Sequence, residues 1–381
     1  MQLFLGGIMS KVRFGMLLLV SSFLLLAIAT VSACGGLFCQ SIPVDQQAER
    51  IIFTVNADGT MSAYVQINYT GSAPDFSWVV PVPNTPDVDV AEIALFDELS
   101  SLTAPIFMPP AMPDCAPVPV MAQAAVPSSA AEGAGEVTVL ASGTAGPYAY
   151  DVITSPDPRA MIDWLNQNQY RVTPEMEPLI TVYNDEGMVF LAMKLQPDQG
   201  VQDIQPIVMT YQSMQPMIPL RLTAVAANPN MSVLTWIFAD AQAVPTNWAH
   251  PVVDDEDLRG DFFSFGGTNY LQLVDATVDL YEGRAFITEY AMPTTDLRAL
   301  RPQDKQLQLL AEKYKFVTRV MGRISPEEMT VDPVFTFDAE RDNISNIHDL
   351  TQMDAEIFWQ CEGAPVPEVE YDENVVPEGF E

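Results

Sequence analysis

Residues 49–71 read ERIIFTVNADGTMSAYVQINYTG, two runs of strand length on either side of Asp58-Gly59. Met61, Ala63, Val65, Ile67 and Tyr69 alternate with Ser62, Gln66, Asn68 and Thr70, broken only by Tyr64, which is the pattern of a half-buried strand. Gly59 supplies the positive φ that a tight hairpin connection needs. A third strand follows in FSWVVPVP (76–83), where Pro81 and Pro83 cannot donate to a ladder and so end the strand or mark an edge. Asp89 and Glu92 then frame a capping box ahead of a short helix that carries Ile93, Phe96 and Leu99.

Farther along, EVTVL (136–140) and YAYDVIT (148–154) read as strands, and PRAMIDWLNQNQ (158–169) as a helix with Pro158 in its first turn. MVFLAMKL, IQPIVMTYQ, MIPLRLTAVAAN and MSVLTWIFAD, between 188 and 240, add four strand-length runs, with Asn228-Pro229-Asn230 as a hairpin turn. Tyr270, Val274, Thr277, Val278 and Tyr281 fall at helical spacing, and Gly283 is placed to end that helix. RAFITEYAMP (284–293) and KFVTRVMGRI (315–324) return to strand. The fold class expected is α+β and β-rich, with antiparallel sandwich-like sheets, a few short helices and disulfide staples. The expected segments are a signal peptide at 1–33, an N-terminal β-rich unit at 34–108, a Pro/Ala/Ser-rich insertion or linker at 109–135, a β-rich α+β unit at 136–340, and a C-terminal extension at 341–381. That extension ends in a solvated tail, because the last twenty residues carry seven acids and no base.

Lys11 and Arg13 precede an apolar run from Phe14 to Val31, and Val31-Ser32-Ala33 sets small or compact residues before Cys34. This is the pattern of a secretory signal peptide, which implies an extracytoplasmic destination: secreted, periplasmic or cell-surface. Val31-Ser32-Ala33-Cys34 also fits a lipobox, so contact with a membrane is expected only through a lipid on Cys34 or an uncleaved N-terminal anchor. The chain has four cysteines, Cys34, Cys39, Cys115 and Cys361. Four thiols in an oxidising compartment allow three pairings, and Gly35-Gly36 lets the backbone turn tightly enough to favour Cys34–Cys39, leaving Cys115–Cys361.

Seventeen basic residues against fifty acidic ones give a formal charge of −33, and removal of residues 1–33 makes it −35. Such a field repels nucleic acid and anionic headgroups. The densest acid cluster is Asp254, Asp255, Glu256 and Asp257 with Asp261 close by, and Asp254, Asp255, Asp257 and Asp261 are the candidate calcium ligands, although the spacing of an EF-hand is missing. Phe262, Phe263 and Phe265 beside Gly266-Gly267 either anchor that loop to the core or form a binding patch. Only two histidines exist: His250 before a proline, and His348 next to Asp349. No Gly-x-Ser-x-Gly elbow accompanies them, so no catalytic residue is assigned. Glu289, an acid within an apolar strand, is either a carboxyl whose pKa burial raises or an outward-facing residue alternating with Ile287.

CGGLFCQSIPVDQQAERIIF, WVVPVPNTP, WLNQNQY, AFITEYAMP and FVTRVMGRISPEEMTVDPVF together resemble the exported bacterial proteins grouped as domain of unknown function 2330, from Cys34 to about Asp338. The resemblance implies export, the paired N-terminal cysteines and a shared fold. It brings no activity, no cofactor and no catalytic residue. The function expected is that of a non-catalytic envelope or extracellular binding or structural module, its partner a protein or surface ligand. The alternative is an extracytoplasmic hydrolase that uses carboxylates with or without calcium.

Overall fold

The hairpin at residues 49–71 forms the middle of the largest sheet. β1 (Gln46–Val55) and β2 (Thr60–Ile67) pair antiparallel with Val55 opposite Met61, and Gly59 at φ 83° makes the turn. The computed structural model describes residues 46–67, 76–115, 138–170, 172–361, 364–365, 367 and 369–380. The signal sequence, the Cys34–Cys39 pair and most of the 109–135 insertion lie outside the described residues.

β3 (Ser77–Val82), β4 (Asp87–Val90), α1 (Ile93–Thr103) and β5 (Ile106–Met108) follow the hairpin. β6 (Thr138–Ala145), β7 (Tyr148–Thr154), α2 (Pro158–Gln167), α3 (Glu177–Asp185), β8 (Val189–Leu195) and β9 (Ile207–Gln212) come next. Then come α4 (Leu220–Thr223), β10 (Ala227–Ala239), β11 (Gln242–Pro245), α5 (Tyr270–Leu280), β12 (Ile287–Pro293), α6 (Thr294–Ala299) and α7 (Lys305–Lys313). β13 (Phe316–Ile324), β14 (Phe335–Asp338), β15 (Ile347–Asp349) and α8 (Ala355–Phe358) complete the regular elements.

A seven-stranded sheet runs β12-β13-β10-β1-β2-β9-β4, and a four-stranded sheet runs β3-β8-β7-β6. Antiparallel pairing dominates, as expected, but β1 and β10 are parallel. Strands from the stretches 34–108 and 136–340 therefore share one sheet and one core. β2 is not half-buried as its alternation predicts: both faces of the sheet are covered, so Ser62 and Gln66 are buried on the side of Tyr64 as Met61 and Val65 are on the other. Ser62 meets this by sharing a hydrogen bond of 2.8 Å with the Thr210 hydroxyl.

Alternation sorts the two faces of the large sheet. Ile52, Trp236 and Phe238 pack on Leu95, Phe96 and Leu99 of α1 and on Leu297, Leu307 and Leu310 of α6 and α7. Their neighbours Ile51, Phe53, Val233 and Ile237 join a larger core with Trp78, Val80, Val152 and Leu191 of the four-stranded sheet and with Met161 and Ile180 of α2 and α3. β3 is an edge strand, which is where Pro81 is tolerated.

Four local expectations are corrected. Asp89 sits in β4 and bonds Val90 N, so no capping box precedes α1, whose N-cap Glu92 makes no side-chain bond. The 217–228 run holds the helical turn α4 instead of a strand, because Asp332 accepts from both the backbone N–H (3.0 Å) and Nε (2.8 Å) of Arg221. Asn228-Pro229-Asn230 falls inside β10, where Asn230 at φ 53° accompanies a register shift against β1 in place of a hairpin. The acidic tail keeps its described acids exposed but is docked by its other groups: His250 N donates to Val375 O (3.1 Å), Arg284 Nη1 donates to Phe380 O (2.8 Å), and the Tyr371 ring lies tilted against Tyr281, 4.9 Å between centroids. Among the described residues no helix is long and apolar enough to cross a membrane.

Candidate functional site

β5 and β15 form a two-stranded parallel ribbon in which Ile106 faces Ile347, Phe107 faces His348 and Met108 faces Asp349. Alternation turns Phe107 and His348 inward, where their rings stack 5.0 Å apart, and leaves Ile106, Met108 and Ile347 outward. Phe107 also meets the ring of Tyr270 at 5.3 Å and the edge of Phe265 at 6.5 Å. Gly266 makes this approach possible. Its φ is 65°, and a Cβ there would lie 2.5 Å from the Phe107 ring. Phe262 stacks on Trp359 at 4.9 Å, and Trp359 Nε1 donates to Pro110 O at 3.3 Å.

Core anchoring was one reading of the three phenylalanines and a binding patch the other, and the geometry combines them. Phe262 and Phe265 are anchored at one edge yet 44% and 43% exposed, and Phe263 is 60% exposed. With Ile106 (49%), Ile347 (52%) and Met108 on the outward side of the ribbon, they give a platform of exposed apolar side chains around β5 and β15, drawn from three distant stretches of chain and linked through the Phe107–Phe265 contact.

The platform borders an acidic cleft of about 780 Å³ walled by residues 251–257, by Leu273 and Thr277 of α5, and by Tyr281, Glu370 and Asp372. Asp255 joins the two features: it lines the cleft and bonds His348 Nδ1 at 2.6 Å beneath the platform. The candidate calcium ligands have separate tasks. Asp254 accepts from Glu256 N (2.9 Å), and Asp261 accepts from Ser264 Oγ (2.6 Å) and Phe263 N (3.0 Å), bonds that hold its pKa below the usual value. Burial, and then the charges of Asp254, Glu256 and Glu370, push Asp257 up. Among the described residues no group of three His, Cys, Asp or Glu side chains is placed to hold a metal ion.

Behind the platform lies a buried polar network. Glu289, buried at a bulge in β12, accepts from Tyr270 Oη (2.7 Å) and from Arg319 Nε (2.5 Å). Arg319 extends to Ser100 O (3.1 Å) at the end of α1, and its guanidinium lies 5.5 Å from the Trp236 ring. Both Glu289 oxygens are thus occupied, and outward alternation with Ile287 does not occur. Burial beside this carboxylate drives the Tyr270 phenol well above its ordinary pKa. His250 takes no part in this network and lies against the Arg341 guanidinium, and burial together with that charge lowers its pKa. Cys115 and Cys361 are joined, Cα atoms 5.7 Å apart, in the expected pairing.

Ile106, Met108 and Ile347 were invisible as site residues in the sequence, because each is one apolar residue in a three-residue strand. Only the phenylalanine triplet gave a local signal. Residues 28–336 match the family described as uncharacterized protein conserved in bacteria (DUF2330), and the chain belongs to it. No curated protein and no solved structure matches the chain. The family match spans Phe107, the acidic loop and the phenylalanines, whereas His348, Trp359 and Cys361 lie past its end.

Proposed function

We propose that this family member is an exported, non-catalytic binding module of the bacterial envelope, and that its ligand is a protein segment presenting apolar side chains flanked by basic ones. The observation that carries the reading is the juxtaposition of the platform with the acidic cleft, joined through Asp255 and His348. Exposed aromatic and aliphatic side chains supply contact area, and the adjoining carboxylates select the sign of what flanks it. Lys11 and Arg13 ahead of the apolar run, followed by small residues before Cys34, support export. Glu289, the best single carboxylate for hydrolysis, is committed to Tyr270 and Arg319.

Short amphipathic peptides test this. A Leu/Lys peptide is expected to bind with affinity that falls as salt rises, while Leu/Glu and Ser/Lys peptides of equal length do not bind. Phe263→Ser with Ile347→Ser is expected to weaken Leu/Lys binding about tenfold or more. Unchanged affinity in that variant would mean that only the net charge attracts the peptide, and the platform would lose its role.

A further inference from the structure

On the four-stranded sheet, remote in sequence from the platform, Lys194 of β8 projects into a pocket of about 270 Å³ lined by Ser142, Tyr150, Asp151, Asn168 and Tyr170. Cross-strand register explains the grouping. Lys194 faces Ala149 of β7, Asp151 is two residues along the same face, and Ser142 of β6 stands opposite Asp151. The Lys194 ammonium lies 4.3 Å from the centroid of the Tyr170 ring and donates to Asn168 O. Ser142 Oγ donates to Asp151 Oδ1 at 2.5 Å, which orients the carboxylate. The Tyr170 ring is itself fixed by stacking on Trp164, 6.1 Å between centroids.

We propose that this pocket is a covalent-addition site for a small hydroxylated aldehyde, the class of a short open-chain sugar, with Lys194 as the nucleophile. The neutral amine adds to the carbonyl carbon and the carbonyl oxygen takes a proton, giving a carbinolamine. Loss of water then leaves an imine between Lys194 Nζ and the former carbonyl carbon, with no change in oxidation state. Asp151, a neighbour on the same face and not a direct ion-pair partner of Lys194, would take the proton that nitrogen releases through an intervening hydroxyl or water and return it to the departing hydroxyl. Ser142, Tyr150 and Asn168 suit hydroxyl groups. Among the described lining residues only Lys194 is basic, and the hydroxyl and amide groups around it suit a neutral, hydroxylated ligand.

Burial holds the Lys194 amine at about 8, below the ordinary 10.5, with Asp151 opposing the shift. Near pH 7.5 about a quarter of it is then neutral, against roughly one part in a thousand for an ordinary lysine. A less basic amine is also a weaker nucleophile. Discounting for that with a Brønsted slope of about 0.4–0.5, the value for thiolates, leaves a rate advantage of roughly tenfold. Beyond residue 33 the chain has only three other lysines, Lys305, Lys313 and Lys315, so the comparison is internal.

The test is reductive trapping of the full chain with glycolaldehyde and cyanoborohydride at several pH values, followed by peptide mapping. Lys194 is expected to be labelled roughly tenfold faster than the other three lysines, with a midpoint near pH 8 and a rate that saturates with glycolaldehyde. Asp151→Asn is expected to slow labelling of Lys194 alone, and Lys194→Arg to abolish that adduct while leaving the others. Labelling no faster than at Lys305, or a rate strictly linear in glycolaldehyde, would overturn the site. An Asp151→Asn variant labelled at the wild-type rate would overturn the role of the carboxylate.

Discussion

Glu49 sets up a stability change with pH that can be calculated in advance. It lies in β1 and lines the cleft between the two sheets together with Trp78, Met209 and Tyr211. It is 7% exposed, and its Oε2 has no hydrogen-bond partner among the described residues. Burial alone raises its pKa from 4.5 to about 7. A carboxyl whose pKa is raised on folding binds its proton more tightly in the native chain than in the unfolded one. Its contribution is therefore complete below pH 4.5 and is lost as pH climbs through about 7. The rise corresponds to about 3 kcal/mol between those limits. Glu49→Gln keeps the shape and removes the titration. Urea unfolding followed by tryptophan fluorescence, at pH values from 4 to 8, is expected to show wild-type stability falling toward neutral pH relative to the variant. Glu49→Gln should be the more stable protein at pH 8 and no better at pH 4. Parallel stability curves for the two proteins would refute the reasoning, because they would mean that the native carboxyl is paired or hydrated.

Two further outcomes follow from the buried network and the staple. Arg319→Met alone strands the Glu289 carboxylate and is expected to cost about 3–5 kcal/mol, whereas Arg319→Met combined with Glu289→Leu should recover much of that loss, and a double-mutant cycle in urea reads the coupling. The Cys115–Cys361 bridge spans a sequence separation of 246, so Cys361→Ser is expected to lower stability by up to about 5 kcal/mol in the chain-entropy view. Non-reducing peptide mapping checks the pairing, and Cys34 linked to Cys115 or Cys361 would overturn it.

The strands were legible where a two-residue period is bounded by turn residues. The β1–β2 hairpin, β3, β7, β8 and β13 all lie where alternation or an apolar run with a stop places them. The same rule misplaced β2's polar face, since alternation reports which side chains are polar and not whether a second layer covers them. Residues 217–228 failed for a different reason. Their apolar content suits a strand, but Asp332, more than a hundred residues away, takes the Arg221 backbone N–H and so fixes a helical turn. α6 and α7 were missed: α6 buries only Thr294 and Leu297, too few to set a period, whereas α7 buries Leu307, Leu310 and Ala311 at helical spacing, a signal confined to one short turn of sequence between polar residues. Of the site, the acidic loop and the phenylalanines were readable. Pairing of β5 with β15 joins residues 241 positions apart and leaves no local trace.

The platform and the cleft must act at different stages of an encounter. A chain with a formal charge of −33 attracts a basic segment from a distance, and salt screens that attraction within a Debye length of about 8 Å at physiological ionic strength. The field therefore governs the rate of arrival, and its loss on adding salt should appear in the association rate. Contact with Phe263, Ile106 and Ile347 removes apolar surface from water only after arrival, so Phe263→Ser with Ile347→Ser should raise the dissociation rate and leave association nearly unchanged. Asp255 belongs to both stages, being a wall of the cleft and the acceptor for His348 beneath the platform. Asp255→Asn removes one charge and weakens the bond that supports β15, so among single substitutions in this face it alone is expected to change both rates. A variant that changed association only would separate the cleft from the platform and leave the acidic loop as a solvated surface.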